Sequence, residues 1–133
     1  MSIPLNPKCL VIEESLRYKK VASRSIKFEG ETLTVEIQGV GFSFARVEFE
    51  GLVGFRVLNE RELCEFWPEY SEPGGWLYEV FRGGWLELEK QRKGWTDFVR
   101  EAREFMIVDD MCINVICTRA PRLVDLGNDP ENT

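Results

Sequence analysis

Between residues 31 and 38, Leu33, Val35 and Ile37 alternate with Thr32, Thr34, Glu36 and Gln38. A strand turns successive side chains to opposite faces, so this stretch has one buried face and one wet face. Residues 23–28, 42–50 and 52–58 are likewise rich in β-branched and aromatic side chains and read as strands. The breaks between them, Glu29-Gly30, Gly39 to Gly41 and Gly51, are short. Connections that short join antiparallel neighbours. Within 42–50 the apolar phase slips between Phe42/Phe44 and Val47/Phe49, which predicts a bulge near Ala45 or Arg46.

After residue 58 the period changes. Asn59 can cap a helix, and Glu62 at N3 completes a capping box. Leu63, Phe66, Trp67 and Tyr70 then form one apolar stripe, while Glu62, Glu65 and Glu69 form an acidic stripe at the same spacing. Pro68 ends the regular part, and residues 71–75 are a loop. Residues 76–81 and 84–90 read as a hairpin about Arg82-Gly83. Thr96 starts a short helix to about Glu104, and residues 104–108 and 111–118 form a second hairpin about Asp109-Asp110. At the N-terminus, Cys9 to Ile12 suits a strand and Glu13 to Lys20 suits a helix. The expected fold is α+β: a predominantly antiparallel sheet of about eight strands with one or two short helices packed on it. It forms a single domain over residues 1–126, with a mobile polar tail at 127–133.

Composition removes several chemistries. The 133 residues include no histidine, so Ser-His-Asp, Cys-His and most zinc hydrolase mechanisms are excluded. No apolar run approaches the roughly 20 residues of a membrane span, and no secretory signal is visible, so a cytoplasmic protein is expected. Cys9, Cys64, Cys112 and Cys117 read as reduced, mostly buried thiols, without metal-ligand spacing. The net charge of -6 argues against direct nucleic-acid binding. That charge is unevenly spread. Residues 1–58 carry eight basic and seven acidic side chains, 59–89 two and eight, and 90–133 seven and eight. The three segments therefore contribute +1, -6 and -1.

The acidic run Glu60, Glu62, Glu65, Glu69 and Glu72 suits a docking face for a basic partner, since clustered acid steers such a partner in. Its plain alternative is a solvated helix face. Tyr70 and Trp76 could serve beside it as aromatic anchors, although two or more of Trp67, Trp76, Trp85 and Trp95 belong in a core. Glu79 with Glu87 or Glu89 could form the carboxylate pair of a small carbohydrate-active enzyme. Alternation of Glu87 and Glu89 with Leu86 and Leu88 is equally that of a strand with one wet face. Asp109-Asp110 lacks a calcium loop around it, and no phosphate-binding glycine loop is present. No catalytic residue, cofactor or metal is expected.

Residues 53–67 (VGFRVLNERELCEFW), 75–89 (GWLYEVFRGGWLELE) and 104–118 (EFMIVDDMCINVICT) resemble a family of small bacterial immunity proteins. These sit beside polymorphic toxins of the Rhs and contact-dependent growth inhibition kind. The most distinctive pieces are Gly54-Phe55-Arg56-Val57-Leu58, Phe66-Trp67 and Gly83-Gly84-Trp85, which are packing and turn signals. The resemblance implies a non-enzymatic cytoplasmic protein, monomer or homodimer, that neutralises a cognate toxin C-terminal domain by stoichiometric binding. A basic nuclease would be a fitting toxin. It carries over no partner-contact residues. A non-catalytic adaptor or secretion chaperone for a basic partner is the alternative.

Overall fold

The computed structural model describes residues 8–59, 75–95, 101–109 and 111–128. Nine strands lie among them: β1 (Lys8–Val11), β2 (Ala22–Glu29), β3 (Thr32–Gly39), β4 (Ser43–Phe49), β5 (Leu52–Asn59), β6 (Leu77–Arg82), β7 (Arg103–Val108), β8 (Met111–Cys117) and β9 (Arg122–Gly127). A 3-10 turn spans Glu13–Arg17, and the helix α1 spans Trp85–Lys90. Every strand pairing is antiparallel. The fold is thus α+β and mostly β, as the hydrophobic spacing predicts. It contains two sheets: β1-β6-β7-β8-β5 and β2-β3-β4-β9.

The two sheets share one core. Leu33, Val35 and Ile37 of β3, with Ala45, Val47 and Phe49 of β4, are fully buried against Leu77, Phe105, Ile107, Ile113 and Val115 of the five-stranded sheet. Phe49 and Phe105 meet across the sheets with ring centroids 6.1 Å apart. The period-2 alternation of β3 is what places its three aliphatic side chains on this inner face. The phase slip in β4 corresponds to a register shift against β9 between Phe44 and Ala45.

The link from β1 to β2 closes one end of the core. Tyr18 and Trp76 are buried there edge to face, 6.5 Å apart. The Trp76 indole N–H donates to the Ser15 carbonyl at 2.8 Å, and the Tyr18 hydroxyl donates to Asp125 of β9 at 2.8 Å. Burial and that carboxylate push the Tyr18 phenol up to about 12.

Five local expectations change. The short break at Gly51 does not join neighbours: the chain crosses there from β4 in one sheet to β5 in the other, and the two strands do not pair. Residues 85–90 are helical, so the hairpin about Arg82-Gly83 does not form. Its alternating Leu and Glu are compatible with a strand, but a carboxylate from β7 caps this segment as a helix. Residue 103, expected in a short helix, begins β7, which residues 104–108 continue as the pattern predicts. Residues 13–17 form a 3-10 turn, so the helix expected over 13–20 is shorter and tighter. Residues 122–127 form an edge strand on β4, and Gly127, the first residue of the expected tail, ends it. The capped helix after Asn59 lies outside the described residues.

Candidate functional site

The best-defined polar cluster lies on the outer face of the five-stranded sheet, beneath α1. Glu104 of β7 and Asn114 of β8 are buried there, each only 2% exposed. Both sit in otherwise apolar strands, EFMIV and MCINVIC. Alternation puts them on the face opposite Phe105, Ile113 and Val115. Glu104 accepts the Leu86 N–H at 2.9 Å, the Trp85 N–H at 3.1 Å and the Asn114 amide at 3.2 Å. The first two are N–H groups that the start of a helix leaves without a helical partner. Asn114 in turn accepts the Arg56 Nε–H of β5 at 3.1 Å, and the Arg56 guanidinium stacks 5.1 Å over the Trp85 ring.

Two glycines make room for this cluster. A Cβ on Gly84 would meet the Glu104 oxygens at 2.5 and 2.9 Å, and Val80 Cγ1 at 2.7 Å. Gly83 has φ +75°, which opens the chain into α1, and its N–H donates to Glu87 at 2.8 Å. Gly54 lies against Trp85, whose ring a Cβ there would meet at 3.6 Å, an ordinary contact. The sequence pieces Gly54 to Leu58 and Gly83-Gly84-Trp85 therefore converge on one structural unit.

Burial raises the Glu104 carboxyl above the usual carboxylate range, opposed by its three hydrogen bonds and the Arg56 charge. A carboxylate accepting three donors in this cluster holds α1 onto the sheet and has little freedom to act as a base. The pocket beside it, lined by Val80, Arg82, Gly84, Leu86 and Lys90, holds about 130 Å³. Ligand pockets usually run from roughly 300 to 1,000 Å³.

Trp76 is 5% exposed, so it takes the core role and is not an exposed anchor. Glu60, Glu62, Glu65, Glu69, Tyr70 and Glu72 lie outside the described residues. Glu79 and Glu87 do not face one another. Glu79 lies on the inner face of β6 in a bidentate pair with Arg103 at 2.8 Å, whereas Glu87 belongs to α1 on the outer face. The Cys112 and Cys117 thiols are fully buried, and burial pushes them up to about 12 and about 11. Among the described residues, no helix is long and apolar enough to cross a membrane, and no three metal-ligating side chains gather. Glu104 and Asn114 had a readable sequence signal, a lone polar residue inside an apolar strand. Their meeting with Trp85 and Arg56 had none.

Comparison with protein-family models, with curated proteins and with solved structures finds no match to this chain.

Proposed function

We propose that this chain is an immunity protein that neutralises a toxin domain by direct, one-to-one binding. One observation carries the reading: residues 59–89 hold eight acidic and two basic side chains. Elsewhere the chain balances its charge locally. On the outer face of the four-stranded sheet, Glu48 pairs with Arg46 and Arg122, and Glu36 lies 4.0 Å from Arg24. Within the acidic stretch, Glu79 and Glu89 pair with Arg103 and Arg92, and Glu87 binds the Gly83 N–H. The remaining acid, Glu60, Glu62, Glu65, Glu69 and Glu72, has only Arg61 beside it in the sequence before Arg82. A concentration of one sign accelerates capture of an oppositely charged protein.

The test is to ask whether an adjacent reading frame encodes a toxin C-terminal domain, to co-express the two, and to titrate the purified pair by calorimetry. Rescue of growth and one-to-one binding are expected. Reversing Glu62, Glu65 and Glu69 to lysine should slow association far more than it speeds dissociation. Growth arrest that persists despite soluble co-expression would refute the reading.

A further inference from the structure

The β2 side of the four-stranded sheet is open. Among the described residues no strand pairs with the outer edge of β2, and none with the outer edge of β5 in the sheet below. The inner-face side chains along this rim are left partly in water: Ile26 is 38% exposed, Phe28 59% and Val57 37%. Phe28 and Phe55 bridge the two edges, with ring centroids 6.1 Å apart. The same inner faces of β3 and β4 bury comparable side chains in the core, whereas this rim is partly exposed and no described strand covers it.

The edge is regular only in part. A bulge interrupts β2 between Ser23 and Ser25, and the Ser23 N–H is taken by Asp109 at 2.6 Å. Residues 25–29 pair with β3 without interruption. This short run has a self-complementary register. Residues directly opposite in an antiparallel pair lie on the same face, so the two-fold axis must pass through a residue. An axis at Lys27 or Glu29 sets like charges against each other. An axis at Ile26 sets Lys27 against serine. An axis at Phe28 sets Lys27 of each copy against Glu29 of the other, twice, and joins the two Phe28 rings beside Phe55. Lys27 and Glu29 already pair with each other at 3.4 Å within one chain, and both side chains are largely exposed, so the dimer exchanges one ion pair in each copy for two between copies.

We propose that the chain forms a two-fold homodimer through antiparallel pairing of β2 with β2 of a second copy, centred on Phe28. The axis of such a pair is perpendicular to the sheet, so inner faces stay on the same side. The two β5 edges then face each other below, and both apolar rims enter one continuous core. The occupant is a second copy because the Lys27–Glu29 exchange is reciprocal, which a different partner strand would have to reproduce by coincidence. The proposal is independent of toxin binding, which uses another part of the chain.

Sedimentation equilibrium from micromolar to near-millimolar protein tests it. The wild type should rise towards twice the 15.5 kDa chain mass. Lys27→Glu or Glu29→Lys alone puts like charges opposite at both ends and should weaken dimerisation about tenfold. The double variant K27E/E29K restores the reciprocal pairing and the dimer. Phe28→Ser should remove it. Unchanged circular dichroism in each variant separates loss of pairing from loss of fold. A constant monomer mass overturns the proposal, as does a dimer that ignores the charge changes or that the double variant fails to restore.

Discussion

Replacing Gly84 by alanine tests the claim that Glu104 anchors α1. Gly84 has φ -106° and ψ -159°, an extended conformation that alanine adopts freely. Backbone strain therefore contributes nothing, and the less free unfolded chain of the variant would by itself favour alanine by about 0.4–1 kcal/mol. The cost is steric. The new methyl would lie 2.5 and 2.9 Å from the two Glu104 oxygens and 2.7 Å from Val80 Cγ1. Overpacking of this kind costs about 1–3 kcal/mol. Moving the carboxylate also weakens its hydrogen bonds, each worth about 1.5–3 kcal/mol when the acceptor is charged. The net expectation is a loss of about 2–5 kcal/mol, which for a domain of this size lowers Tm by roughly 10–20 °C. Thermal unfolding followed by circular dichroism measures it. Gly54→Ala is the control: its Cβ would meet Trp85 at 3.6 Å, an ordinary contact, and Tm should move little. A double-mutant cycle with Glu104→Ala completes the test, because truncating the carboxylate should relieve most of the Gly84→Ala cost. Equal costs in the two backgrounds, or a Gly84→Ala Tm matching that of Gly54→Ala, would refute the reasoning.

The pH dependence of Glu104 has a definite sign. Its carboxyl is raised in the folded state, so the native protein binds the proton more tightly than the unfolded chain, and its contribution to stability falls as pH rises through that window. Denaturant titrations should therefore show wild type gaining on Glu104→Gln as pH is lowered towards about 4.3, the ordinary glutamate value. Tyr18→Phe removes the hydrogen bond to Asp125 and should cost about 1 kcal/mol at neutral pH. Because the Tyr18 phenol is raised to about 12, wild type should lose that advantage between its ordinary value near 10 and about 12, as measured by unfolding at alkaline pH. Cys112 and Cys117 should resist alkylation at pH 8 in the native protein and react once it is denatured, as read by mass spectrometry of the labelled peptides.

Local periodicity made much of this fold readable. The alternation in 31–38 placed Leu33, Val35 and Ile37 in the core, and the phase slip in 42–50 marked a real irregularity at Phe44 and Ala45. Residues 104–108 and 111–118 read as paired strands because both are apolar runs flanking a turn of polar residues, and β7 and β8 pair. Each of these depends only on neighbours within a few positions. The segment 84–90 went the other way. Its Leu-Glu alternation fits a strand, but the donors at Trp85 and Leu86 find their acceptor 18 or 19 residues later, at Glu104. No local spacing encodes that meeting. The candidate site was readable only in fragments for the same reason, with Arg56, Trp85, Glu104 and Asn114 scattered over three strands and a helix.

Residue order alone therefore determined the class of the fold, most of its strands, the concentration of acid in residues 59–89 and the absence of imidazole chemistry. These are properties of composition and short-range pattern, which survive without knowledge of which strands meet. Tertiary structure decided the division into two sheets, the burial of Trp76 and the capping of α1 by a strand carboxylate. It also decided that Glu79 and Glu87 lie on opposite faces and that β2 and β5 share a partly exposed apolar rim. Those outcomes depend on contacts between residues far apart in the chain, whose free energy is settled only when the sheets close on each other.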